Sequence, residues 1–339
     1  MGHSWNKQGI VGVLSVSALS LLPATAWAQS GGSCGEGCSE LVPPPVTCES
    51  GCTRNVSGSA GVNVNPGEVV CVQPESVLSG GVNMNGGELR ICGSASPAYF
   101  NLNGGNVTVL GQAAFANLNA NSPASTLSNY GVLTVGNLSF RGAFENYGSA
   151  SVSSDLNVDA GASLFNAGEL ALARSLNNGG VVSNAGTLDV GGALRNNGNG
   201  SLSNSCEASV QGNVDLGGPA SNTGVLSSGG TVTVNRPLSL GNSSTLATNA
   251  LVVNARIDGP GESCSSLSIA TTTILNGSAV VTGLVDICDP NGIETNNGTL
   301  SGGVTTDCSC VIGCEEPAPE PEPEPGPPAP EPEPEPLVE

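Results

Sequence analysis

Lysine, histidine and tryptophan are nearly missing from this 339-residue chain, and the few copies present sit at one end. His3, Trp5, Lys7 and Trp27 all lie in the first 28 residues. There Lys7 precedes an apolar run from Ile10 to Leu22, and small residues follow in "ATAWA". That is the pattern of a secretory leader cut after Ala28, and the run is too short to span a membrane. An exported chain, extracellular or at the cell surface, is expected.

Without histidine, the remainder excludes a Ser-His-Asp or Cys-His catalytic site. Seven arginines against 28 carboxylates leave it a formal charge of −21. Phosphate recognition rests on clustered Lys and Arg, so nucleic acid is a poor partner. Five phenylalanines and three tyrosines are too few to fill an ordinary core of this length. The interior must instead use Val, Leu, Ile and Ala. No later segment approaches twenty apolar residues, so no integral span is expected.

What the chain does contain is a phrase, Asn-x-Gly-x-apolar-x-apolar. It begins at Asn65, Asn85, Asn103, Asn129, Asn146, Asn166 and Asn184, with decayed copies at Asn204 and Asn222. Successive spacings are 20, 18, 26, 17, 20, 18, 20 and 18. Apolar residues two apart face one side of a short strand. The Gly is expected to supply positive φ in the preceding turn, and the Asn to bond its own backbone there. A second apolar group follows each phrase, as with Leu138 and Phe140 or Leu156 and Val158.

A unit this short buries its apolar side only by stacking on its neighbours. The reading is all-β: a single-stranded parallel β-solenoid of roughly a dozen coils, ~60 Å long at the strand spacing. A pair of β-sandwiches is the alternative, but sandwiches need no fixed short repeat. In a stack the nine Asn lie above one another and form an amide ladder, as in other stacked strands. The expected divisions are a leader at 1–28, a Cys-rich cap at 29–60 and the solenoid at 61–304. A second Cys-rich cap at 305–314 and a Pro/Glu tail at 315–339 follow. The tail is expected to be a disordered polyproline II spacer.

Twelve cysteines in an exported chain read as disulfides. Cys34, Cys38, Cys48 and Cys52 precede the first coil; Cys308, Cys310 and Cys314 close the last. Cys71 with Cys92, and Cys264 with Cys288, are candidate pairs between neighbouring coils, and Cys206 is a further disulfide candidate. Zinc binding by the terminal thiolates is the alternative. Neither a metal nor a cofactor is expected.

The repeat, the leader and the scarcity of aromatics resemble bacterial adhesin-like β-helix exoproteins, the class of filamentous-haemagglutinin-type and autotransporter passenger domains. The resemblance covers about residues 60 to 304 and is one of architecture. It implies a structural or adhesive protein, not an enzyme, whose partners are envelope or matrix polymers or cell-surface proteins. The rival reading is a glycoside hydrolase using two carboxylates 5 to 10 Å apart, from Asp155 with Asp159, Asp189 with Asp215, or Asp286 with Asp289. Tyr130 and Tyr147 occupy one repeat position and are the candidate binding residues; packing of two turns is the alternative.

Overall fold

The computed structural model describes residues 47–48 and 51–310 of the protein. The leader, most of the N-terminal cap and the Pro/Glu tail lie outside the described residues. Within them there is no helix, and every strand pairing is parallel.

One coil consists of Ala143–Asn146, Ser149–Val152 and Leu156–Val158; the next repeats these as Ser163–Asn166, Glu169–Leu172 and Leu176–Asn178. Each strand pairs with its equivalent one coil away, Asn146 with Asn166, Val152 with Leu172 and Leu156 with Leu176. The coil therefore has three faces. The first forms a continuous sheet of 14 strands from Arg54–Asn55 to Thr299–Ser301. On the other two faces, the strands Gln112–Ala120 and Val132–Phe140 run through the bend that elsewhere separates the second face from the third. Gaps in that bend are where Ser153–Asp155 and similar turns lie.

Alternation fixes what is inside. Strand after strand reads exposed-buried-exposed-buried, as in Ser149–Val152 and Glu169–Leu172. The inward residues form one core of aliphatic side chains, joined near its N-terminal third by Phe100, Phe115, Phe140 and Phe144. At ~25 cal/mol per Å² of apolar surface, coil-on-coil burial is what an isolated coil lacks.

The same phrase turns two different corners. From Asn129 onward it leads from the first face to the second; at Asn65, Asn85 and Asn103 it leads from the third face to the first. The change of corner falls at the 26-residue spacing between Asn103 and Asn129. It also changes the backbone conformation at the glycine. Gly67, Gly87 and Gly105 have φ of 83°, 72° and 89°, as expected of turn glycines. Gly148, Gly168 and Gly186 do not have positive φ, contrary to the expectation. A Cβ on any of them would collide with the backbone of the preceding coil, so close stacking excludes a side chain there.

The four disulfides between described residues gather at the two ends, with pairings other than those expected. Cys71 bonds Cys52 and Cys92 bonds Cys48; Cys264 bonds Cys310 and Cys288 bonds Cys308. Cys71 and Cys92 do not face each other because Cys71 stands over Arg90, two residues short of Cys92. Their side chains reach outward to the segment that precedes the stack. Cys264 and Cys288 are likewise taken by the closing segment. Cys206 is also disulfide-bonded, and the described residues contain no free cysteine. Each described bridge clips a terminal segment over a coil that would otherwise present an open strand edge.

Reduction should therefore act on the ends. Hydrogen exchange followed by mass spectrometry is expected to show residues 51–92 and 264–310 losing protection in reductant, while residues 125–204 keep theirs. A uniform loss along the chain would mean that the bridges hold the whole stack.

Candidate functional site

Six of the nine predicted Asn form the ladder. Asn129, Asn146, Asn166, Asn184, Asn204 and Asn222 are buried, each at 2% exposure or less. Asn129 Nδ2 donates to Asn146 Oδ1 at 2.7 Å, Asn146 to Asn166 at 2.7 Å, and Asn166 to Asn184 at 2.7 Å. Asn184 donates to Asn204 and Asn204 to Asn222, both at 2.8 Å. Each also donates to a backbone carbonyl in the next coil, such as Glu169 O, Thr187 O or Glu207 O. All the amides point the same way, nitrogen toward the C-terminal end.

Asn65, Asn85 and Asn103 are exposed and do not belong to the ladder, because they turn the other corner. Their coils place Val72, Ile91 and Val109 in the ladder position. One consequence is visible at its first rung: Asn129 Oδ1 is buried beside Val109 with no hydrogen-bond partner. Sequence reasoning missed a second, two-rung ladder at the other corner, where Asn178 Nδ2 donates to Asn196 Oδ1 at 2.8 Å. Its signal was the doubled Asn of "SLNNGG" and "LRNNGNG".

Tyr130 and Tyr147 do stack, with ring centroids 4.9 Å apart and planes 3° from parallel. Phe165 joins them against Tyr147 at 5.6 Å. Both hydroxyls are held above the usual phenol range, first by burial and then by the negative Glu145 beside them. The three half-buried rings pack against one another over the corner.

The carboxylate pairs are placed apart or engaged. Asp155 and Asp159 flank one third-face strand, so four strand residues at ~3.3 Å put them ~13 Å apart along the chain. Asp155 Oδ1 accepts from Ser175 N at 3.0 Å, and Asp159 pairs with Arg141 at 3.5 Å. Asp189 lies on the second face and Asp215 on the third, one coil later. Asp286 and Asp289 are buried structural acceptors. Asp286 takes bonds from Thr305 Oγ1 and Cys310 N, and Asp289 from Thr273 Oγ1 and Asn291 N. Among the described residues no group of three or more His, Cys, Asp or Glu is arranged to hold a metal.

The open surface features lie on the third face, which sequence reasoning did not single out. Outward Asn residues line up there in register: Asn63, Asn83, Asn101 and Asn119, then Ser139, Asn157 and Asn177. Several bond coil to coil, as Asn101 Nδ2 does to Asn83 Oδ1 at 2.8 Å and Asn137 Nδ2 to Asn117 Oδ1 at 2.8 Å. The phrase "NLN" at Asn101–Asn103 and Asn117–Asn119, and "SLN" at Ser175–Asn177, carried this pattern, with Leu inward and Asn outward. Two shallow grooves lie along this row.

No family model, curated protein or solved structure matches the chain. Its reading rests on its own geometry.

Two substitutions test that geometry. Asn166→Ala or Asn184→Ala strands a buried amide on each side and should cost about 1–3 kcal/mol in denaturant unfolding. Asn157→Ala, on the exposed face, should cost a few tenths at most. Equal losses would mean that the ladder contributes nothing. Asp189 is held above the ordinary carboxylate range, by desolvation and then by Glu169. A raised carboxyl pKa means that stability is fully present at low pH and is lost as pH rises through it. Asp189→Asn should therefore melt at or above the wild-type temperature at pH 7, with the gap closing as pH falls below about 4.

Proposed function

We propose that this chain is an exported structural and adhesive protein, similar in role to adhesin-like β-solenoids, displayed at a cell surface or in an extracellular layer. The observation that carries this reading is the repetition of one polar side chain, in register, along an outer face. Such a face offers a partner the same weak contact on coil after coil, and linked weak contacts sum to a strong one.

Two further features support it. Disulfides at both ends suit an oxidising compartment outside the cell. Among the described residues no helix is long and apolar enough to cross a membrane. The expected partners are envelope or matrix polymers, or proteins on another cell.

Fractionation of the native host, with detection by antibody, is the test. The protein is expected in the medium or accessible to protease on intact cells, with its cysteines oxidised. A reduced pool confined to the cytoplasm would overturn the proposal. Turnover of a polysaccharide that is abolished by a single Asp→Asn substitution would replace it with the hydrolase reading.

A further inference from the structure

We propose that the third face binds an extended, uncharged polysaccharide along a track from Tyr99 to Arg174. This deepens the reading above and rests on it, since it names the partner class and the surface.

The track is built from two grooves that meet. The first, about 80 Å³, is lined by Tyr99, Asn101, Asn117 and Asn119 among others. The second, about 270 Å³, is lined by Asn119, Asn137, Ser139, Asp155, Asn157 and Arg174, with Leu138 and Ser154. Asn119 belongs to both, so they run end to end. From the strand Phe100–Leu102 to the coil that carries Arg174 there are four coil steps, ~19 Å at the strand spacing. That length fits an oligosaccharide and exceeds a single sugar.

The side chains suit hydroxyl groups. An Asn amide offers donors on one side and an acceptor on the other, and a sugar hydroxyl both donates and accepts. The side-chain amide of Asn119, at the joint, has no hydrogen bond within the described residues and is exposed, so its full capacity is open to a ligand. At the N-terminal end Tyr99 is 50% exposed and its ring rests against Gly81 of the preceding coil, where any Cβ would strike it. An aromatic ring presented in this way is a platform for the C–H face of a sugar.

Charge selects the class. Asp155 and Arg174 are the only charged residues lining the grooves and cancel formally. A neutral track on a chain of formal charge −20 matches an uncharged polymer, whereas the chain's net negative charge disfavours an anionic one. A peptide is disfavoured because strand addition needs a free sheet edge. The strands that carry the track are paired on both sides.

The test uses the oxidised full chain against immobilised mannan, xylan, neutral glucan and galactan, with alginate and a peptide array as comparators. At least one uncharged polysaccharide should bind, its oligomers should bind more tightly with length, and its monosaccharide should not compete. Asn119→Ala and Tyr99→Ala should each weaken binding about tenfold or more, which is ~1.4 kcal/mol. Their melting temperatures should be unchanged, while Ser151→Ala on the second face should bind as wild type. Because the Asn119 amide bonds to nothing among the described residues, that variant keeps the test valid even if other substitutions disturb the fold. Unchanged glycan binding by both variants would overturn the track and leave the adhesive reading standing. Binding of alginate or peptide alone, or of no polymer, would overturn the assignment to an uncharged polysaccharide. The fractionation above fails or succeeds independently of either result.

Discussion

Everything in this protein depends on backbone hydrogen bonds that run along the stack and not around a coil. A strand of three or four residues leaves its N–H and C=O groups unpaired within its own coil. Only the coils on either side satisfy them. Parallel pairing in fixed register then places equivalent residues one above another. A residue choice made once is repeated as a column, whether it is an inward Leu, a corner Asn or an outward amide.

That constraint explains both the economy of the core and its polar exception. Aliphatic residues serve because the inward space between three narrow faces is thin, and the few Phe rings that enter it pack together, with Phe100 and Phe115 ring centroids 4.5 Å apart. The buried amide column would be costly in isolation, since an unpaired amide in an apolar setting is strongly disfavoured. As a continuous chain each Asn is satisfied by the next, and the deficit is confined to the Asn129 carbonyl at one end. Column formation thus converts many polar burials into one.

The same constraint creates the ends and the faces. A stack has two open edges, and the disulfides Cys52–Cys71 and Cys288–Cys308 fasten covering segments at them. Between the ends, three faces carry three different columns. The first-to-second corner is internal scaffolding, with its rings and amides consumed by packing. The third face keeps amides that are partly uncommitted, and that difference is why the binding track is assigned there.

The sequence by itself determined the architecture, because a phrase recurring every 17 to 20 residues, with one gap of 26, and apolar positions two apart has no other economical burial. It also named most of the ladder: Asn166 and Asn184 were legible from spacing alone. Tertiary structure alone decided which corner each phrase turns. Asn65-x-Gly67 and Asn146-x-Gly148 read alike, yet one sits exposed at a turn with positive φ and the other is buried under a coil. Local pattern specifies strand and turn but not the face a strand joins, which depends on pairing with residues about twenty positions away. Disulfide partners were hidden for the same reason, since Cys71 faces Cys52 only after register sets it over Arg90. The outward Asn row was written in the "NLN" triplets, but its meaning required the stack, because only there do Asn101 and Asn119 become neighbours.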